Sequence, residues 1–147
     1  MNCLRHRLLL VSRVVSLLMS TLAVSSCTSV HDKTLAERGV TEFHRQLDSA
    51  QYHTIYAEAD ESIRKSNNEA EFTTFLRRVH EKLGNVRQSK FQTYSVGWST
   101  GVGVSATLIY ATDFANGKAS ETFVWRFSDS NALLLGYHID SNALVIN

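Results

Sequence analysis

The chain has 147 residues, 44% of them hydrophobic and 20% charged, with a formal net charge of +1. That fits one globular domain and excludes a disordered, collagen-like or disulfide-dense chain. The first 26 residues hold Arg5, Arg7 and Arg13 and no acid; without them twelve basic residues face fourteen acidic ones, a net of −2, which disfavours a strongly basic nucleic-acid binder.

Residues 1–13 are basic, and Val14 to Val24 form an uncharged, mostly apolar run of eleven residues followed by small residues. This is the order of a secretory signal peptide, expected over 1–26 and removed in the mature protein. A membrane-spanning helix is the competing reading, but it needs about 20 mostly apolar residues. The uncharged run from Val14 to Val30 is 17 residues long and is broken by serines and threonines.

The segment Leu22-Ala23-Val24-Ser25-Ser26-Cys27 resembles the lipobox of bacterial lipoproteins: an aliphatic residue, small residues, then cysteine. The resemblance implies that the Cys27 thiol carries a diacylglycerol, that cleavage falls just before it, and that its new amine is acylated. The alternative is an ordinary signal cut near Ala23 or Ser26. The other cysteine, Cys3, lies in the removed segment, so Cys27 has no internal disulfide partner. A free thiol is unusual in an oxidising compartment, and thioether attachment to lipid removes the anomaly. Thr28 stands where an inner-membrane lipoprotein typically carries Asp. The resemblance therefore implies a cell-envelope protein, on the outer membrane facing the periplasm where there are two membranes. Residues 27–34 are expected to be the lipidated cysteine and a tether, and 35–147 a single domain.

Ala36, Val40, Phe43, Leu47 and Ala50 make one helical stripe. Tyr52, Ile55, Tyr56, Ala59 and Ile63 continue with helical spacing after a bend near Ser49. Ser66-Asn67-Asn68-Glu69 reads as a capping box before a third stripe of Phe72, Phe75, Leu76, Val79 and Leu83, and Gly84 is placed to end it.

After Gly84 the period changes to two. A strand is expected from Val86 to Trp98 with a bulge near Gln92, because Phe91 is out of phase with Tyr94, Val96 and Trp98. Residues 102–114 and 119–127 alternate around Asn116-Gly117, a strong two-residue hairpin signal. That turn would pair Thr112 with Glu121 and Tyr110 with Phe123, with large residues on one face. The other face, from Thr107 to Asp113 and from Ser120 to Arg126, is half polar. It could meet solvent, a partner or a second copy. A last strand covers Leu133 to Ile139 after a polar turn at Ser128 to Asn131, and Asn142 to Asn147 could add an edge segment.

The expected fold class is α+β: about three N-terminal helices followed by a curved four-stranded antiparallel sheet. The closing pattern carries the resemblance: Asn116-Gly117, Glu121, Phe123 and Trp125, then Leu135-Gly136-Tyr137-His138-Ile139. Over about residues 35–141 it resembles the cystatin-like or nuclear-transport-factor-2-like cone and looks like small secreted bacterial families of unknown function. The resemblance implies a fold and no activity.

Glu121 is the leading site candidate, because its phase puts a carboxylate beside Phe123 and Trp125, where burial demands a partner. A four-residue loop before the last strand would place His138 opposite it, and one more residue would place Ile139 there. Glu121, His138 and Tyr110 are thus candidates for an acid–base or ligand-orienting pocket, against a reading in which Glu121 reaches solvent or bonds Thr112. Tyr52, Tyr56 and Tyr137 could also bring hydroxyls to a pocket, although aromatic residues at this spacing usually form core. His31, His44, His53, His80 and His138 show no metal-ligand spacing, and no cofactor or metal is expected. Arg77, Arg78, Lys82, Arg87 and Lys90 form a basic run interrupted by Glu81, which reads as a solvated helix end. No Gly-rich phosphate loop and no G-x-S-x-G motif occur. The sequence therefore points to a lipid-anchored binding or interaction module with a protein partner or small ligand. A small cavity enzyme of isomerase or hydratase type using Glu121 is the alternative, with a structural envelope component as a third reading.

Overall fold

The computed structural model describes residues 26–128 and 130–145, with side chains from residue 32 onward. The expected signal segment lies outside the described residues except for Ser26, as does the Cys27 side chain. Among the described residues no helix is long and apolar enough to cross a membrane. Among the described residues four helices precede the sheet: α1 (Ser26–Asp48), α2 (Tyr52–Glu58), α3 (Glu61–Ser66) and α4 (Glu69–Leu83). Strands β1 (Val86–Ser99), β2 (Gly103–Phe114), β3 (Gly117–Ser128) and β4 (Asn131–Asp140) follow, and α5 (Asn142–Val145) closes the chain. The sheet is an open antiparallel meander in the order β1-β2-β3-β4. The fold class is α+β, as expected.

The α1 stripe buries Ala36, Val40, Phe43 and Leu47. Ala50 falls past the helix end at φ 55°, where the chain turns. The helix begins at Ser26, so the backbone of the expected tether, 27–34, lies within it. The stripe from Tyr52 to Ile63 is two helices, because Asp60 breaks it. The Asp60 side chain accepts from Ser62 N and caps α3, its own N–H donates to Leu134 O of β4, and Arg126 Nε donates to its carboxylate. The cap of α4 is Asn68, which accepts from Ala70 N. Ser66, expected to fill that role, instead donates back to Ser62 O within α3. Gly84 does end α4, at φ 71° with its N–H on His80 O. Of the expected edge segment, Asn142–Val145 form α5 instead, and residues 146–147 lie outside the described residues.

The hairpin register differs from expectation by two residues. The turn is Ala115-Asn116, so Tyr110 rather than Thr112 lies opposite Glu121, and Leu108 lies opposite Phe123. The cause is tertiary. Ala115 N–H donates to Asn85 O and Asn116 N–H to Leu83 O, which pins the turn to the end of α4. Gly117 adopts no positive φ. It is small because a Cβ there would sit 3.1 Å from Ala143 Cβ and 3.3 Å from Leu83 Cδ2. A two-residue shift preserves every face, so Leu108, Phe114, Phe123 and Trp125 still enter the core.

In β1 the ladder slips at Gln92, as expected, and again at Arg87. Between β3 and β4 the loop is short, with Ser128 paired to Asn131, and the extra residue is taken up as a bulge at Leu135. Ile139 therefore lies opposite Glu121, and His138 lies opposite Thr122. This corrects the pairing of Glu121 with His138: the histidine is exposed, one residue out of phase with the core face.

Candidate functional site

Glu121 sits at the centre of β3 with 0% of its surface exposed. Its carboxylate is met from three elements. His44 Nε2 of α1 donates to Oε2 at 2.8 Å. Thr112 Oγ1 of β2 donates to the same oxygen. Tyr137 Oη of β4 donates to Oε1 at 2.8 Å. Since Thr112 spends its proton on Glu121, Ser89 of β1 must donate to Thr112 across their 3.1 Å contact. Three donors thus converge on the two oxygens of one carboxylate, each of which accepts at least one hydrogen bond. Burial first, and then the neighbouring Glu121 charge, push the Tyr137 phenol well above its ordinary value of 10.0, so it remains a donor. Phe43 and Phe123 close around the cluster: their rings lie 4.6 and 5.1 Å from that of Tyr137, and Phe123 meets His44 edge-on at 5.7 Å.

Of the candidates read from sequence, Glu121 is buried and partnered, and Thr112 is one of its partners. Tyr110 lies opposite Glu121 in the ladder, but its ring packs edge-on against Phe91 and Phe123. Burial, and then the Glu37 charge, raise its phenol to about 12. His138 is not part of the cluster. His44 and Tyr137 are the partners that sequence reasoning did not assign. His44 follows Val40 by four residues and shares its helix face, so the signal was present in the α1 period. Among the described residues no three His, Cys, Asp or Glu side chains gather as a metal site would need.

The Tyr137 ring also floors an open groove of about 460 Å³. Ile63 of α3, Phe72 and Phe75 of α4, and Leu135 and Gly136 of β4 complete its apolar base, with Ser62, Ser66, Asn67 and Glu71 at the rim. Phe75 is exposed there, its ring 6.1 Å from that of Tyr137. The groove exists because the Leu135 bulge and the short α3 leave β4 incompletely covered. A second cavity, about 100 Å³, lies between α1, α2 and the β3–β4 pair beside Trp125. Volumes of several hundred Å³ suit a ligand or a few peptide side chains, whereas the smaller space suits ordered water.

A family model described as a protein of unknown function (DUF4019) matches residues 40–137. No curated protein matches the chain. The matched span includes His44, Ser89, Thr112, Glu121 and Tyr137 together with the whole groove. With most of the domain inside that span, the chain belongs to the DUF4019 family.

Proposed function

We propose that this is a lipid-anchored cell-envelope protein whose domain is a non-catalytic binding module, with the groove between α3, α4 and β4 as its ligand seat. The observation that carries this reading is the contrast between the two features that meet at Tyr137. The Glu121 carboxylate is fully enclosed and holds three internal donors, which suits an organiser of the core, and with 0% of its surface exposed it presents no oxygen to a substrate. The groove beside it is open and ligand-sized, with apolar side chains below and hydroxyl, amide and carboxylate groups at the rim, the usual division between affinity and orientation in a binding site. An acid–base enzyme would need the reverse, a carboxylate reachable by its substrate. The anchor reading rests on the lipobox-like Val24-Ser25-Ser26-Cys27. We also infer the cystatin-like or nuclear-transport-factor-2-like cone, supported by a meander with bulges at Arg87, Gln92 and Leu135, since bulges bend strands and increase their twist.

The test is site-specific photo-crosslinking in cells of the intact chain. A photoreactive residue at Phe75 or Ser66 should give a discrete adduct, and the same residue at Ser120, on the opposite sheet face, should not. Adducts from Ser120 with none from the groove would move the interaction to the sheet face. No adduct from either, with the protein folded and membrane-bound, would leave the structural-component reading in its place.

A further inference from the structure

The hairpin formed by β1 and β2 grows more exposed toward its tip. Its core-facing row starts fully buried at Leu108 and Ala106, whose partners are Tyr94 and Val96, and ends with Trp98 opposite Val104. Along that row exposure climbs to 54% at Val96, 44% at Val104 and 72% at Trp98. A Cβ added at Gly97, Gly101 or Gly103 would meet nothing within 4 Å. From Phe91 to Thr112 the chain contains no acidic or basic residue and no histidine, a stretch bounded by Lys90 and Asp113.

We propose that this tip, Val96, Trp98 and Val104, rests in the headgroup boundary of the bilayer to which Cys27 holds the protein. The inference rests on the anchor reading above.

Three observations select a lipid surface. The first is direction. Val86 N–H of β1 donates to the Asp48 carboxylate at the C-terminal end of α1, while the Lys33 ammonium lies 4.4 Å over the Phe91 ring. Hence α1 runs antiparallel to β1, and its Asp32 end points the same way as the Trp98 end of the strand. Burial, and then the nearby Asp32 charge, raise the Tyr94 phenol, which places Asp32 close to Tyr94; Trp98 lies four residues further along β1, about 13 Å at strand rise. Cys27 lies five residues before Asp32, at most about 18 Å of chain in any conformation. A lipid on Cys27 therefore brings the bilayer to the end of the domain that carries the tip. The second is chemistry. Entering the interface desolvates no charge on this stretch, and tryptophan is the residue enriched at that depth, where its ring is half wetted. The third is area. The exposed parts of the three side chains amount to roughly 350 Å², below the ~450 Å² of apolar surface that a stable protein interface of ~800 Å² per partner contains. A fluid surface requires no complementary shape, and a chain already held at the bilayer by its lipid needs only a small apolar contact to rest there.

The experiment uses the full chain, expressed with its own leader, extracted from membranes and reconstituted in phosphatidylcholine vesicles with plain or brominated acyl chains. The chain has two tryptophans, and Trp125 is 5% exposed, so the difference between wild type and Trp98→Phe isolates the Trp98 signal. The expected result is Trp98 emission lost in brominated vesicles and retained in plain ones, with Trp125 unaffected. A lipidated protein that floats with vesicles while Trp98 stays equally bright in both would overturn the tip proposal and leave the anchor standing. An unquenched Trp98 whose emission shifts to the blue as protein density rises would assign the tip to a second copy and equally overturn it. An intact mass without lipid would remove the anchor reading. Quenching of Trp98 by vesicles added to that unlipidated chain would then keep the tip as a membrane contact in its own right, and no quenching would end both.

Discussion

The strongest consequence of the buried cluster concerns Glu121→Leu. Leucine is larger than glutamate by about one methylene group, so a small packing strain adds to an effect that is mainly polar. It leaves His44 Nε2–H, Thr112 Oγ1–H and Tyr137 Oη–H inside the core without their acceptor. Each orphaned donor costs about 1–3 kcal/mol. Thr112 can turn toward Ser89 and recover part of its share. The sum falls near the ~3–5 kcal/mol measured when one partner of a buried pair is removed. Against a typical stability of roughly 5–15 kcal/mol, that is a large fraction. In urea unfolding with an m-value of about 2 kcal/mol/M, the midpoint should fall by about 2 M. Glu121→Gln should cost less, about 1–2 kcal/mol, because its carbonyl can serve His44 and Thr112 while Tyr137 reverses to accept from the new amide. Adding His44→Leu to Glu121→Leu should cost less than the two single changes together, since the imidazole no longer faces a missing acceptor. A Glu121→Leu protein within about 1 kcal/mol of wild type would refute the reasoning, because the three donors would then have other partners in the native state.

Three further outcomes follow from the same structure. Burial alone would raise the Asp60 carboxyl, but hydrogen bonds from Ser62 and Arg126 and the guanidinium charge hold it below its ordinary 3.8. A carboxyl depressed in the folded state stabilises it above the unfolded value and loses that contribution as pH falls through the folded value. Asp60→Asn keeps a good helix cap, so it should be about 1–3 kcal/mol less stable than wild type at pH 7, with the gap closing below about pH 4 in urea melts. Gly39→Ala should destabilise by about 1–2 kcal/mol despite a helix-propensity gain of about 1, because the new methyl would lie 2.8 Å from the Trp125 ring; calorimetry showing a raised Tm would contradict the close approach. Tyr110, at about 12, and Tyr137, raised well above 10.0, stay protonated in the folded state well past pH 10. Their contribution is complete below the unfolded value near 10 and is lost as pH rises toward 12. Ultraviolet titration should therefore show these two phenols ionising together with alkaline unfolding, and all five tyrosines of the chain ionising before it unfolds would be the contrary result.

What was legible in the sequence followed period and phase. The α1 stripe, the alternation of β2 and β3, and the bulge at Gln92 all depend on local repeats, and the structure keeps them. What was hidden depended on contacts distant in the chain. The run from Tyr52 to Ile63 holds helical phase across its break, so nothing local reveals that Asp60 leaves the helix to meet Leu134 and Arg126. Asn116-Gly117 carries a strong local turn preference, yet the turn moved by one residue because Leu83 and Asn85 offer carbonyls to Asn116 and Ala115. Those bonds keep two backbone amides paired near the end of α4, which outweighs a preference worth a fraction of that.

The cluster at Glu121 shows the same division within one site. Strand phase alone put the carboxylate in the core, and the physical demand that it be paired followed at once. Naming the partners required two quantities that no local pattern contains: where α1 crosses the sheet, and whether an extra residue intervenes anywhere before β4 comes opposite Glu121. The bulge at Leu135 settles the second by turning Tyr137 inward and His138 outward, and it opens the groove at the same point. One inserted residue thus completes the buried cluster and uncovers the surface beside it, and that is why the chemistry of this domain is to be sought in the groove and at the hairpin tip while Glu121 holds the core.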